Sequence, residues 1–236
     1  SGNDTIITGG GGSYDSYTRV SINAGDGDNK ITVNTSTSYS YVYTGNDNDC
    51  VSIAGSGSHN SISLGGGDDS LIAGADSSTI NLGVGDNQLT LKADGNSNQI
   101  ITGNGHDYMT LSSYYNKITL GGGNNTVQSP DNRNTISADD GADNILLWRG
   151  YADVGDGKNI ISLTGGGEST IFSGNDDDTI NVANQDETKD TRYYDYINAG
   201  GGNNYINNSN VERSTIISGS GNDTIITGGG GSYDSY

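Results

Sequence analysis

The chemistry this sequence offers is acidic. Twenty-nine Asp and Glu stand against ten Lys and Arg, a net charge of −19. The carboxylates crowd into glycine clusters: "AGDGDNKI" holds Asp26 and Asp28, "TGNDNDCV" Asp47 and Asp49, "LGGGDDSL" Asp68 and Asp69, and "SGNDDDTI" Asp176, Asp177 and Asp178. Asp139, Asp140 and Asp156 lie in two further clusters. Such a surplus favours cations. It argues against nucleic acid and against anionic membrane surfaces, both of which need clustered Lys and Arg. Paired carboxylates also serve as general acid and base, but in a repeating acidic column they read first as ligands or as a solvated face.

Other routes to catalysis find little support. His59 and His106 lie in different turns, without an H-E-x-x-H zinc motif, and neither a G-x-S-x-G elbow nor a Cys/His pairing is present. Cys50 is the only cysteine, which excludes an internal disulfide framework. It reads as a tolerated thiol in an outward slot, with an intermolecular link left open. No run of 18 apolar residues is present to span a bilayer. The expectation is a protein that is not an enzyme and does not insert into membranes.

What positions the acids is a repeat. With 30% hydrophobic residues, one Phe, one Trp, one Met and 39 Gly, the composition is too poor for an ordinary globular interior. The apolar residues are not scattered, however, because a pair of aliphatics follows each glycine cluster. The clusters return about every twenty residues, with one stretch around "ANQDETKDTRYYDY" and one contraction around "RGYADV". A weaker beat lies between them, in "HNSISL", "SSTINL", "YYNKITL" and "ERSTII". Each unit therefore has two short strands and two turns, and alternation such as Leu89-Thr90-Leu91 sends one set of side chains inward.

Stacked units predict an all-β fold, a parallel β-solenoid of about eleven coils of about 20 residues per 219-residue large repeat. One inward column is predicted as Ile6, Ile31, Val51, Leu71, Leu89, Met109, Val127, Ile145, Ile161, Ile180 and Ile206, and the facing one as Val20, Val42, Ile62, Ile80, Ile100, Ile118, Ile136, Val154, Ile171, Ile197 and Ile216. The stretch "SGNDTIITGGGGSYDSY" occurs at Ser1 to Tyr17 and again at Ser220 to Tyr236. Residues 1–219 read as one large repeat and 220–236 as the start of the next, a window on a longer tandem array.

"GSGNDTII", "GNGHDYMTL" and "GGGDDSLI" resemble the G-G-x-G-x-D-x-U-x nonapeptide of the repeats-in-toxin, or hemolysin-type calcium-binding, β-roll. The resemblance implies Ca²⁺ between stacked turns, held by the motif's Asp and by turn carbonyls. That motif position is filled by Asp4, Asn29, Asp49, Asp69, Asn87, Asp107, Asn125, Asp143, Asn159, Asp178, Asn204 and Asp223. The ligand set it implies is Asp4, Asp26, Asp28, Asp47, Asp49, Asp68, Asp69, Asp107, Asp143, Asp156, Asp176, Asp178 and Asp223.

Alternation of Asp with Asn departs from the family pattern. It relieves repulsion between carboxylates stacked one coil apart, about 1 kcal/mol in water and more where partly buried. The one like pair, Asp49 and Asp69 with Asp47 and Asp68 nearby, is expected to be the strongest calcium site. The alternative is a metal-free ladder of stacked turn side chains. The second corner, with Thr18, Ser40, Asn60, Ser78, Asn98, Asn116, Asn134, Ala152, Ser169, Asp195 and Ser214, lacks the motif and reads as backbone-bonding turn residues.

Most of the fifteen tyrosines gather near that corner: Tyr14, Tyr17, Tyr39, Tyr41, Tyr43, Tyr114, Tyr115, Tyr151, Tyr193, Tyr194 and Tyr196. They read either as corner covers or as a contact surface for partners and sugars. The outward positions after the Asp column are too irregular for ice binding. The expectation is a structural repeat of a secreted, calcium-stabilised extracellular filament, surface layer or adhesin shaft at the cell surface, partnered by other copies of itself. The alternatives are an adhesive or carbohydrate-binding module using the tyrosines to hold glycans, and a calcium-dependent accessory region of a secreted enzyme.

Overall fold

The computed structural model describes residues 2–9, 19–34, 36–92, 96–165, 168–182, 194–209 and 214–228. Short strands separated by turns follow one another: β1 (Thr5–Thr8), β2 (Ser21–Asn23), β3 (Lys30–Val33), β4 (Tyr41–Tyr43), β5 (Cys50–Ser58), β6 (Ser61–Ser63) and β7 (Ser70–Asp76). Next come β8 (Thr79–Gly83), β9 (Gln88–Leu91), β10 (Gln99–Thr102), β11 (Tyr108–Leu111), β12 (Lys117–Thr119), β13 (Thr126–Ser137) and β14 (Asn144–Asp153). The last are β15 (Ile160–Leu163), β16 (Thr170–Phe172), β17 (Thr179–Val182), β18 (Asp195–Asn198), β19 (Tyr205–Asn208), β20 (Ser214–Ile217) and β21 (Thr224–Thr227). β-Branched residues supply most inward slots, as strand packing favours.

Every pairing is parallel, and each strand pairs with its counterpart one coil away. The fold is a parallel β-solenoid with two faces, and β13 and β14 run across the second corner so that each belongs to both. On the glycine side the register joins Ile6, Ile31, Val51, Leu71, Leu89, Met109, Val127, Ile145, Ile161, Ile180, Ile206 and Ile225 in one column. This contains the whole first column expected from the sequence.

The opposite column runs Ile22, Val42, Ile62, Ile80, Ile100, Ile118, Ile136, Ala152, Ile171, Ile197 and Ile216. Ile22 and Ala152 thus replace the expected Val20 and Val154. Val20 sits at the corner, where its N–H donates to Ser40 Oγ at 2.8 Å. Val154 is buried one slot further on, level with Leu120 and Ala138. Ala152, expected at the corner, is core, and Gly150 takes the corner place opposite Asn134. Both corrections have one cause: the corner does not lie at a fixed distance from the glycine cluster.

A typical coil fills four inward slots, as with Met109, Leu111, Ile118 and Leu120, all 0–1% exposed. Burying each such side chain contributes about 1.5–3 kcal/mol, which is how a chain poor in apolar residues sustains a core. The spacing from one coil to the next along the Asp/Asn column is 25, 20, 20, 18, 20, 18, 18, 16, 19, 26 and 19 residues. Two steps are therefore long, not the single one expected. Thr18, Tyr14, Tyr17 and Tyr193 lie outside the described residues.

Candidate functional site

The Asp/Asn column forms an unbroken side-chain ladder. Asp4 N–H donates to Asn29 Oδ1 at 3.0 Å, and the same bond recurs from Asn29 to Asp49, Asp49 to Asp69, Asp69 to Asn87, Asn87 to Asp107 and Asp107 to Asn125, at 2.8–3.0 Å. It continues from Asn125 to Asp143, Asp143 to Asn159, Asn159 to Asp178, Asp178 to Asn204 and Asn204 to Asp223, at 2.8–2.9 Å. Each oxygen satisfies a turn N–H that the strand ladder cannot reach, and an unpaired one would cost about 1–3 kcal/mol.

The second side-chain atom separates Asn from Asp. Asn29 Nδ2 donates to Gly25 and Gly27 carbonyls at 2.9 and 2.6 Å, Asn87 to Gly83 and Gly85 at 3.3 and 2.9 Å, and Asn125 to Gly121 and Gly123 at 3.2 and 3.0 Å. Asn159 reaches Gly155, Gly157 and Ser173, and Asn204 reaches Gly201 and Ser218. The matching atom at Asp49, Asp69, Asp107, Asp143 and Asp178 is a buried Oδ2 with no hydrogen-bond partner. An acceptor there faces the place where the Asn levels need a donor.

Electrostatics follow from that geometry. Burial pushes the Asp69 carboxyl up from 3.8 to about 7; the Asp49 N–H opposes the rise, and the charges of Asp49 and Asp68 add to it. Asp143 is pushed to about 6 by burial, against the bonds from Asn125. Asp178 is pushed to about 6 by burial, with Asp176 adding to it and Asn159 and the Ser173 hydroxyl opposing. Burial raises Asp107 as well, partly offset by the Thr102 hydroxyl and Asn87.

A second ladder runs along the exposed side of the same turns in the opposite sense, each side chain now accepting from the following coil. Asn3 accepts from Asp28 N–H at 2.9 Å, Asp28 from Asn48 at 3.2 Å, Asn48 from Asp68 at 2.7 Å, Asp68 from Asp86 at 2.9 Å and Asp86 from His106 at 2.7 Å. His106 Nδ1 then accepts from Asn124 N–H at 2.8 Å and Asn124 from Ala142 N–H at 2.9 Å. Ala142 has no acceptor, and the ladder returns with Asp177, Asn203 and Asn222. Asp26, Asp140 and Asp156 likewise hold the N–H groups of Asn46, Asp156 and Asn175.

The expected ligand residues therefore fall into separate sets. Asp49, Asp69, Asp107, Asp143 and Asp178 are buried in the inner column, with Asp4 and Asp223 at its first and last described levels. Asp26, Asp28, Asp68 and Asp156 are exposed and bonded to backbone N–H groups. Asp47 and Asp176 have φ of 101° and 88°, in a turn slot that Gly27, Gly67 and Gly85 fill elsewhere. That conformation is strained for a side chain with a Cβ. The structure brings Asp69 close to Asp49 and Asp68. Among the described residues, however, no group of three or more His, Cys, Asp or Glu side chains is placed to hold a metal.

The donor set decides which levels fit calcium, which takes six to eight oxygens. The five Asn levels do not fit, because the amide already occupies the turn carbonyls. At the five buried Asp levels the corresponding atom is a carboxylate oxygen that makes no hydrogen bond, the kind of oxygen such an ion takes. Sequence reasoning missed the outer ladder and the acceptor role of His106, for which the recurring polar residue just before the column was the available signal.

The second corner carries hydrogen-bonding residues at the positions expected from Ser40 to Asn134. Val20 N–H donates to Ser40 Oγ, Ser40 to Asn60, Asn60 to Ser78, Ser78 to Asn98, Asn98 to Asn116 and Asn116 to Asn134, at 2.6–3.0 Å. Tyr39 stacks on His59 with centroids 4.9 Å apart, while Tyr41, Tyr43, Tyr114 and Tyr115 stand exposed. On the outer face Phe172 packs between Tyr151 and Tyr196 at 6.0 and 5.7 Å. The chain matches no known family model, no curated protein and no solved structure.

Proposed function

We propose that this chain is a structural repeat of a secreted, calcium-stabilised extracellular filament, surface layer or adhesin shaft, a divergent relative of the repeats-in-toxin β-roll. The observation that carries the reading is the inner ladder, which passes through eleven coil-to-coil steps without a break. A device repeated identically at every level serves length, whereas a catalytic or binding site needs one constellation in one place. The return of the opening seventeen residues at Ser220 points the same way.

Calcium, when bound, supplies positive charge to buried carboxylate oxygens that lack a donor. The residues to hold it are Asp49, Asp69, Asp107, Asp143 and Asp178 through Oδ2, while their Oδ1 atoms stay on the ladder. The Asn levels between them need no metal.

Antibodies raised against the purified rod test the role. Decoration of filaments or of a surface layer on intact source cells is the expected result, and staining confined to the cell interior refutes it. A second reading, adhesion to glycans, is favoured by the exposed Tyr39, Tyr41 and Tyr43 at one corner. Glycan-array binding lost in Tyr39→Ala and Tyr41→Ala would support it.

A further inference from the structure

We propose that Tyr151, Phe172 and Tyr196, with the polar groups set between them, form a binding site for a neutral polysaccharide lying along the solenoid axis. The proposal goes beyond the structural-repeat reading. It shares a ligand class with the glycan reading above, but none of its residues.

From β6 to β13 the outward positions of the second face carry no aromatic side chain among the described residues, and then three rings come on consecutive coils, in β14, β16 and β18. The register sets Tyr151, Thr170 and Tyr196 in one outward column, and Asp153, Phe172 and Asn198 in the next. Rings and polar groups therefore alternate both along the axis and across it. The Phe172 ring lies 6.0 Å from Tyr151 and 5.7 Å from Tyr196, tilted by 49° and 50°. All three are half-buried against one another, so their positions are fixed before anything binds and little ordering cost remains. The Tyr151 hydroxyl donates to Asp153 Oδ2 at 3.3 Å. Tyr194, 58% exposed, extends the strip towards the corner, where its carbonyl takes the Glu168 N–H at 3.0 Å.

What sets this strip apart from the ladders is that it occurs in one place. It also coincides with the most irregular spacing in the solenoid, three successive steps of 16, 19 and 26 residues. A feature that departs from the repeat where the repeat itself is broken is placed for a local task rather than for length.

Sugar rings suit the pattern. A pyranose has apolar C–H faces and a rim of hydroxyls, so its faces lie on aromatic rings while its rim exchanges hydrogen bonds with Asp153, Thr170 and Asn198. Coils advance about 4.8 Å, close to the rise of one ring in an extended β-linked glycan. One sugar then falls on each coil, and Tyr151 and Tyr196 take alternate ones. The ligand is neutral, because a chain of net charge −19 with Asp153 inside the strip repels acidic polysaccharides.

Calorimetric titration with cello- and chito-oligosaccharides of increasing length is the test. Binding is expected to tighten up to about one sugar per coil of the strip and then level off, while polyuronate fragments do not bind. Tyr196→Ala is expected to weaken binding about tenfold, and Tyr196→Phe, which keeps the ring, to restore it. Tyr196→Leu keeps apolar packing against Phe172 without the flat ring, and gives the same loss in a chain whose circular dichroism matches the parent's. Absence of binding by every neutral oligosaccharide overturns the proposal, as does parental affinity in folded Tyr196→Ala and Tyr196→Leu. Loss confined to Tyr39→Ala and Tyr41→Ala also overturns it, and leaves the glycan reading standing at the other tyrosines. None of these failures touches the structural-repeat reading, which filament decoration tests separately.

Discussion

Asp69→Asn exposes the logic of the inner ladder. In the parent, Asp69 Oδ1 takes the Asp49 N–H at 2.8 Å, while Oδ2 is buried without a partner. Its carboxyl is pushed up to about 7 from 3.8. That distance, at about 1.4 kcal/mol per pKa unit, sets a ceiling of about 4 kcal/mol on the cost of keeping Asp69 ionised at pH 8. An amide removes the charge. It also places a donor where Asn29 and Asn87 reach two turn carbonyls, each such bond contributing about 1 kcal/mol.

With chelator at pH 8, we expect Asp69→Asn to be more stable than the parent by about 2–4 kcal/mol. The advantage depends on pH. Between 3.8 and about 7 the native parent holds a proton on Asp69 that the unfolded chain has lost, so the parent gains stability as pH falls through that window. The variant has no such proton, and its lead shrinks by pH 5. Urea denaturation followed by circular dichroism at both pH values measures this. A variant less stable than the parent at pH 8, or a lead unchanged at pH 5, refutes the reasoning.

Three further outcomes are expected. The metal-free parent loses stability as pH rises from about 4 through 6–7, because Asp69, Asp143 and Asp178 all titrate higher folded than unfolded; melting temperatures that climb over that range would contradict it. Calcium at pH 8 raises the melting temperature and chelation lowers it, whereas indifference to both leaves the ladder and removes the metal. Gly83→Ala destabilises by more than the roughly 1–3 kcal/mol of backbone strain that its φ of +85° brings, since a Cβ would also fall 1.5 Å from the Gly65 carbonyl oxygen. A urea midpoint equal to the parent's would show that the turn yields.

The first inward column was legible because the distance from glycine cluster to aliphatic residue never changes, from Ile6 to Ile206. The facing column was legible wherever the corner kept its distance. It failed at Val20, in the first long step, and at Val154, in the shortened one, where counting from the glycine cluster slips by one inward slot. Alternation of Asp and Asn was plain in the sequence, but its meaning lay in one atom per residue. Nδ2 fills the turn carbonyls at Asn29, Oδ2 is left over at Asp69, and which way each oxygen faces along the axis is not written in residue types. For the same reason His106 had no role legible in the sequence beyond the absence of a zinc motif, although its Nδ1 completes a rung.

The shortened coil has a mechanical meaning. Ala142 offers no acceptor to the coil after it, and Gly150 offers none to Asn134 in the coil before it, so a side-chain tie is missing on each side of this coil. A rod stretched along its axis is a set of springs in series, and strain gathers at the softest. Arg133 and Glu168 pair across this coil from its two neighbours, and Arg149 lies over the Trp148 ring at 4.3 Å within it. The Arg133–Glu168 pair thus straps the two neighbours together over this coil, and cutting it should lower the force at which the coil parts from them when the solenoid is pulled along its axis.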